Sequence, residues 1–469
     1  MCKITAKSSA FLFLIYFTFI LLQFTDTSFA QESTKIKYIT MEEAISKALS
    51  KNHQVKASEF ALKKAKWDTK HAWTLLFPVI NFDSRYTWID EQTFAERDFR
   101  RYLPPELANQ FPQTVFQESY YSAFSLSVPV FNASLLNNLW VANSREDMTQ
   151  QLDKSTRQQT IFEVISAYLD VLENSKILSL QEEFLNLSKL NYEKAERLYQ
   201  ATRYSENDAL RWKVDYQQQK NTVVQSKTNQ RSLLLSLSRL INSEIEESTG
   251  IDENIPAEII SEKDRLLKSE DEEILKLIEL SDEDLINVNA ALSAAKSNEE
   301  TSDLMHRNSY TSFMPTISFS YTYAWRENNT FKLDDYSPKT VMINLRMPIF
   351  TGFQNYTSLQ SSYYDYKKSQ EEFQDQLLST RLTLTDIANR LINLKTQIEL
   401  TKINVEFNKN NYRIVEQRRD KGLISNIDYI DAKLNLQNAE LENISTEFDF
   451  ISAMVQLYYL IGKIEQFTL

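Results

Sequence analysis

The chain alternates between long stretches with helical hydrophobic spacing and short stretches in which apolar and polar residues alternate one by one. In the long stretches Leu, Ala and aromatic residues recur every three or four positions among Gln, Glu, Lys and Asn, which is typical of amphipathic helices. Proline breaks helix interiors, and none occurs between Pro129 and Pro256 or after Pro348. The pattern therefore predicts helices over about 41–76, 133–202, 206–241, 352–419 and 426–460. A helix of seventy residues would be roughly 105 Å long, which suits a fibre or a tunnel better than a compact domain.

The short stretches predict β-strands with one bulky face and one small or polar face. Four such segments occur, two in each half of the chain, and each lies beside a proline. About ten residues of this alternation, with aromatic residues toward the ends, are typical of membrane strands and their aromatic belts. One segment alone would fit an ordinary sheet packed on a helix, but four segments together favour the membrane. The predicted belt consists of Phe82, Tyr86, Trp88, Phe124, Phe319, Tyr321, Tyr323 and Trp325.

The two halves of the chain repeat one another about 220 positions apart, in the same order of motifs. The predicted domains are a signal peptide (1–30), a first repeat (31–242) with a hairpin at about 77–131, a linker (243–273), and a second repeat (274–469) with a hairpin at about 313–350. The matching pairs are Phe77-Pro78 with Met314-Pro315, Val128-Pro129 with Met347-Pro348, and Ser205…Asp208 with Ser425…Asp428.

The first thirty residues predict export. Lys3 and Lys7 precede a short apolar run, and Ser28 and Ala30 supply the small residues that a signal peptidase recognises. Cys2, the only cysteine, lies in the predicted signal peptide, so the mature chain would have no disulfide and no thiolate metal site.

Composition narrows the function further. A net charge of −12 argues against a nucleic-acid partner. Three histidines and the absence of nucleotide-binding or metalloprotease motifs predict no catalytic residue, no metal and no cofactor, and hence no enzyme. Four glycines in 469 residues mean few tight turns and few, long elements.

Four strands are too few to close a membrane barrel, whose smallest examples have about eight. Open sheet edges are not tolerated in lipid. Several copies of the chain must therefore share one barrel: two copies would give eight strands and three would give twelve. The alternation alone does not choose between them.

From Ile39 to Gly462 the sequence resembles the TolC family of outer-membrane efflux proteins. The similarity rests on Thr40–Ala44 at the opening helix, the hairpin and strand-exit prolines, and Gly422–Ser425 followed by Asp428 and Asp431. The resemblance implies a mainly α fold with a small β part: a homotrimer whose twelve-stranded barrel in outer-membrane lipid continues into a periplasmic helical barrel. It also implies a periplasmic adaptor and an inner-membrane pump as partners. The chain would be the exit duct of a tripartite efflux pump or type I secretion system, a passive channel gated at its periplasmic tip.

The family further implies roles for the tip. Ser205 with Asp208 and Ser425 with Asp428 fit helix capping boxes, but capping does not explain Asp431, which shares a helix face with Asp428. In the family, two acids at this spacing form carboxylate rings, where crowding raises pKa values and binds cations. This chain departs from the family pattern at Arg211, Arg419 and Ile424. The predicted tip turns and adaptor contacts are Arg203, Tyr204, Ser205, Asp208, Gly422, Leu423, Ile424 and Ser425.

The alternative function is a periplasmic coiled-coil scaffold or adaptor protein. Such a protein would share the long helices but would not need paired strands with an aromatic outer face.

Overall fold

The computed structural model describes residues 38–244, 251–327, 338–421 and 423–468. The predicted signal peptide lies outside these residues. The helices are α1 Met41–Lys51, α2 His53–Thr74, α3 Glu91–Arg97, α4 Pro105–Ala108, α5 Ala133–Gln200, α6 Glu206–Ile241, α7 Ala257–Lys268, α8 Asp271–Lys276, α9 Asp282–Val288, α10 Ala290–Ser309, α11 Gln354–Asp420 and α12 Asn426–Leu460. The strands are β1 Val79–Trp88, β2 Glu118–Asn132, β3 Thr316–Glu327 and β4 Lys339–Arg346, and short 3-10 helices lie at Phe99–Tyr102, Tyr310–Phe313 and Ile464–Phe467.

Two very long helices dominate the fold, as the proline-free intervals predict. Helix α5 has 68 residues and α11 has 67, so each is roughly 100 Å long. Each turns back through a short connection into a return helix, α6 or α12. Within the described residues, no helix has both the length and the apolar character that a membrane span requires.

The four strands form one antiparallel sheet in the order β1-β2-β3-β4. Neighbouring strands pair in register from Val79 opposite Ser127 to Trp88 opposite Glu118, and from Thr316 opposite Arg346 to Tyr323 opposite Lys339. The two predicted hairpins therefore join through β2 and β3. Strands β1 and β4 remain as the two edges of the sheet.

Proline shapes both exits from the sheet. In β2, which has neighbours on both sides, the pairing shifts between Pro129 and Phe131, because proline has no amide hydrogen to donate. Strand β4 ends at Arg346, two residues before Pro348, so the alternating residues Met347 and Ile349 lie beyond the strand. The last strand of the hairpin predicted at about 313–350 therefore ends at Arg346, although the period-two alternation of the sequence continues to Ile349.

The hydrophobic core lies near the middle of the long helices, where shorter elements pack around them. It combines the central part of α5 around Tyr168, the ends of α6 and α12, and the short helices α1 and α7 to α9. The Tyr168 hydroxyl donates to the carbonyls of Ile39 and Asp252, at 2.9 and 2.8 Å, and ties the start of the chain to the linker. The predicted linker contains helix α7, and the second repeat begins with the shorter helices α8, α9 and α10.

Asn52 divides the helix predicted over about 41–76 into α1 and α2. Its Oδ1 accepts from the backbone N–H of Gln54 at 2.7 Å and of Val55 at 3.4 Å, so it caps α2. Its Nδ2 donates to the carbonyl of Leu240 at 2.8 Å, near the end of α6. One buried side chain therefore sets a helix boundary and also holds two elements together.

Replacing Asn52 with Ala should lower the free energy of unfolding by about 2 kcal/mol, because it removes a cap and leaves a buried carbonyl unpaired. Urea unfolding followed by circular dichroism of the protein in detergent measures the change. Ser50→Ala, two residues away and exposed, is the matched control and should leave the midpoint nearly unchanged. Equal midpoints for the two variants would contradict this role for Asn52.

Candidate functional site at the helical tip and on the sheet

The two turns at the helical tip have the same backbone design. In the first turn the N–H of Arg203 donates to the carbonyl of Leu198 at 2.8 Å, and in the second Leu423 donates to Arg418 at 3.0 Å. These bonds close each long helix in a Schellman motif, whose C′ residue normally takes a left-handed conformation. Thr202 occupies that position in the first turn with φ 56°, a strained conformation for a β-branched residue. Its repeat equivalent, Gly422, lies outside the described residues.

Both return helices begin with the predicted serine caps. Ser205 accepts from the N–H of Asp208 at 3.2 Å, and Ser425 accepts from the N–H of Asp428 at 3.2 Å. Asp428 completes a capping box by accepting from the N–H of Ser425 at 3.3 Å. Both serines therefore cap their helices, and the complete capping box is present at Ser425 and Asp428.

Asn426 brings the two turns together. Its amide donates to Asp208 at 3.4 Å, and its Oδ1 accepts from the Tyr204 hydroxyl at 3.5 Å. The hydrogen bond from Ser205, then that from Asn426 and the charge of Arg211, hold the pKa of Asp208 below its usual value against the opposing effect of burial. Asp208 is therefore ionised at neutral pH and engaged at the junction of the turns.

Asp428 and Asp431 lie on one exposed face of α12, one helical turn apart. The neighbouring face of the same turn buries Tyr429 and Ala432. In the first repeat, Arg211 replaces the second acid and is also exposed. A single protomer therefore presents two carboxylates on the second return helix, and a mixed pair, Asp208 with Arg211, on the first.

Arg419 lies inside an aromatic cluster at the tip. Its guanidinium carbon is 3.6 Å from the ring centroid of Tyr429 and 5.9 Å from that of Trp212, and Nη1 donates to Oδ1 of Asn191 at 3.0 Å. The Tyr412 and Tyr429 hydroxyls are 2.5 Å apart. Burial, followed by this hydrogen bond, raises the pKa of Tyr412 well above its usual value. The departure from the family pattern at Arg419 thus contributes a packed cation–π contact that ties α11 to α5, α6 and α12.

A buried ion pair was missed by the sequence reasoning. Lys433 is 0% exposed, and its Nζ lies 2.6 Å from both carboxylate oxygens of Asp215 and 2.8 Å from Oγ of Ser188. Burial lowers the pKa of Lys433, and the charge of Asp215 opposes that shift. One turn further along, the amides of Gln219 and Gln437 bond to each other at 2.9 and 3.1 Å.

A detectable signal for this pair was present in the sequence. Lys433 interrupts the stripe of Tyr429, Ala432 and Leu436 that faces the protein interior. A charge at such a position needs a buried partner. The pair joins the two return helices near the tip.

The predicted aromatic residues lie together on one face of the sheet. Phe82 is opposite Phe124, Phe124 is opposite Tyr323, and Tyr321 is opposite Leu126 and Val341. Directly opposed residues share a face, so the remaining belt positions follow from the same register. The face is exposed; Ile343, for example, is 71% accessible. The two serines on this face, Ser84 and Ser122, bond to each other at 3.0 Å. The membrane role of the belt stays a prediction.

Within the described ranges, no group of three or more His, Cys, Asp or Glu side chains is arranged so that it could hold a metal ion.

Comparison with known proteins agrees with this architecture. Residues 283–463 match the sequence model of the family described as outer membrane efflux protein. The Campylobacter jejuni CmeC outer membrane channel superimposes with a TM-score of 0.77 at 12% identity, covering 90% of this chain and 86% of CmeC. Vibrio cholerae VceC gives 0.74 at 14% identity, covering 90% and 96% of the two chains. The open state of the Neisseria gonorrhoeae MtrE outer membrane channel gives 0.71 at 14% identity, covering 92% and 90%. A search of curated protein sequences finds no significant match.

The fold is that of the outer-membrane ducts of efflux systems. Residues 283–463 carry the outer membrane efflux protein domain, the chain as a whole has the fold of TolC-like channels, and its place is the outer membrane. The periplasmic scaffold alternative is not favoured, because the family match and the fold are those of efflux channels.

Removing one partner of the Lys433–Asp215 pair should be strongly destabilising. Lys433→Met leaves an uncompensated buried carboxylate and should cost about 3–5 kcal/mol, whereas Lys433→Met combined with Asp215→Leu should recover most of that loss. Urea unfolding of the single and double variants gives the coupling energy. Lys213→Met, on the exposed face of α6, is the control and should change stability by less than about 0.5 kcal/mol. Additive single-variant effects would contradict a direct interaction.

Proposed function

We propose that three copies of this chain form one passive duct across the outer membrane and the periplasm. Each copy supplies four strands to a twelve-stranded barrel and its long helices to a hollow cylinder. The observation that carries the proposal is the sheet itself: it has a bulky exposed face and two edges that no other described strand pairs with.

The sheet edges require partners. Backbone groups exposed along β1 and β4 would be unsatisfied in hydrocarbon, and a closed barrel is the arrangement that satisfies them. Because β1 and β4 are at opposite ends of the strand order, β4 of one copy can pair with β1 of the next. Head-to-tail contacts of this kind close into a ring. The family resemblance favours three copies over two.

The helices show the same head-to-tail pattern. By backbone proximity α6 lies beside α5, α5 beside α12, and α12 beside α11, while side chains such as Asp215 and Lys433 also connect α6 to α12. The outward faces of α6 and α11 therefore form the two outer edges of a protomer. Both edges expose apolar residues that one chain leaves uncovered. They are Leu210, Val214, Val224 and Leu235 on α6, and Leu382, Leu400, Ile403, Phe407 and Ile414 on α11. We infer that α6 of one copy packs against α11 of the next.

The tip is the proposed gate and docking end. Asp428 and Asp431 are exposed on one helix face, where three copies would bring six carboxylates toward the axis. The turn residues, with Leu423 at 69% exposure, would meet a periplasmic adaptor that links the duct to an inner-membrane pump. No enzymatic step is part of this function. The division into a cleaved signal peptide (1–30), two repeats and the linker belongs to the same proposal.

Paired cysteines at Val224 and Ile403 should cross-link neighbouring copies into a ladder that ends at the trimer. Both residues lie roughly 26 Å from the tip along their helices, at 1.5 Å per residue. Because Cys2 lies in the predicted signal peptide, the mature chain provides a background without native thiols. Treatment with a short bismaleimide and denaturing electrophoresis measures the product.

Three controls make this test specific. Each single cysteine should give no ladder. Leu210→Cys with Ile403→Cys uses the same two edges but displaces the first cysteine by about 21 Å, so it should not cross-link. A ladder ending at the dimer, or monomer alone from the matched pair, would contradict the trimer.

Replacing Asp428 and Asp431 with Asn should reduce cation selectivity and weaken block by divalent cations. Asn keeps the side-chain shape and can still cap a helix, so the change tests charge rather than folding. Planar-bilayer recordings in a KCl gradient, with Mg²⁺ added at the tip side, measure both properties.

Asp208→Asn is the matched control for the gate, since Asp208 has the same capping geometry but is bonded to Asn426. Asp208→Asn should change cation selectivity and divalent-cation block less than the Asp428 and Asp431 variant does. If the Asp428 and Asp431 variant retains the selectivity and block of the wild type, the carboxylate gate is wrong.

A further inference from the structure

A row of three side chains crosses the polar face of the sheet. Arg85 is opposite Tyr121, and Tyr121 is opposite Arg326, on β1, β2 and β3 in turn. The guanidinium carbons lie 5.7 and 5.8 Å from the Tyr121 ring centroid, one from each neighbouring strand. Both arginines are exposed, and the tyrosine between them is half-buried.

The row lies at the end of the sheet that is far from the long helices. Arg85 is near the end of β1 and Arg326 near the end of β3, whereas α5 and α11 follow the opposite ends of β2 and β4. In a duct whose helices extend into the periplasm, this is the outer end. The tip with Asp428 and Asp431 is at the other extreme of the molecule.

The charge balance on the polar face is positive. By register, the described charged residues of the strands on that face are Asp83, Arg85, Arg326 and Arg346. The nearby carboxylates Glu118 and Glu327 belong to the aromatic face, since Glu118 is opposite Trp88 and Glu327 is opposite Tyr120. No described carboxylate forms an ion pair with Arg85 or Arg326.

Tyr121 restrains the positions of the two guanidinium groups more than those of two isolated surface arginines would be restrained. The electron-rich face of an aromatic ring attracts a guanidinium, so Tyr121 holds both cations at one level despite their mutual repulsion. The guanidinium forks remain exposed and suit bidentate contact with carboxylate, phosphate or sulfonate groups.

We propose that Arg85, Tyr121 and Arg326 form a selectivity ring for anionic groups at the outer end of the duct. The inference rests on the proposed function, because three copies with their polar faces toward the lumen would place six guanidiniums at one level. The ring favours the passage of anions and of cargo that carries anionic groups. The two ends of the duct are then opposite in charge, with carboxylates at the entrance and guanidiniums at the exit.

The test compares ion selectivity of the full chain in planar bilayers. Arg85→Gln with Arg326→Gln should shift the reversal potential in a KCl gradient toward potassium. It should also weaken block by tripolyphosphate, added at the outer side, by at least about tenfold. Tyr121→Phe keeps the aromatic side chain, so its reversal potential and tripolyphosphate block should match those of the wild type. Tyr121→Leu removes the aromatic side chain, so its values should fall between those of the wild type and the double variant.

Lys339→Gln is the matched charge control. Lys339 lies at the same end of the sheet but on the aromatic face, with Nζ 5.5 Å from the Tyr323 ring. It should leave both readouts unchanged. The cysteine ladder, repeated in each background, shows that the variants still assemble.

The outcomes separate the two proposals. A wild-type protein that forms no conducting channel would overturn the duct, and the ring with it. A conducting channel whose double variant keeps the wild-type reversal potential and tripolyphosphate block would overturn the ring alone. An equal shift from Lys339→Gln would also overturn it, because the effect would then come from overall charge.

Discussion

The fold depends on the need of every backbone N–H and C=O for a partner once water is excluded. Helices meet that need within themselves, so the long helices of this chain are complete as single elements. The sheet is not, because in the described part of the chain no further strand pairs with the outer edges of β1 and β4, which lie beside an exposed apolar face. The sheet lies at one end of the molecule, and the long helices extend away from it. In lipid, the hydrogen-bonding requirement of such a sheet would be met by the neighbouring copies of the proposed trimer.

The two repeats share a backbone plan but differ in their side chains at the tip. Both turns use the same Schellman bonds and the same serine cap, which depend on local geometry alone. The residues at equivalent positions differ: Thr202 corresponds to Gly422 in the sequence, and Arg211 corresponds to Asp431, which reverses the charge. The two repeats also contribute different side chains to the contacts between them. Lys433 and Asp215 pair across the two return helices, and Arg419 is enclosed by aromatic rings from several helices.

Much of the fold was predictable from sequence because its signals are local. Proline-free intervals fixed the two longest helices to within two residues, and period-two alternation assigned all eight aromatic residues to one face. The failures have physical reasons. Strand β4 stops before Pro348, where alternation continues but a backbone donor is missing. Lys433 and Asp215 are far apart in sequence, so their pairing depends on how α6 and α12 pack, which no local pattern reports. The same holds for Arg419.

The junction between β2 and α5 has a mechanical consequence. Asn132 is the last residue of β2 and also the cap of α5, accepting from Ser134 and Leu135 at 3.1 and 3.3 Å, so no residue of slack separates strand from helix. The helix then acts as a rigid lever roughly 100 Å long, and each degree of tilt at the junction displaces its far end by roughly 2 Å. Small distortions of the sheet would thus be magnified many times at the opposite extremity. At the second junction the chain passes through Gly352 and Phe353, both at positive φ, before α11 begins. Strand β4 therefore does not run directly into α11.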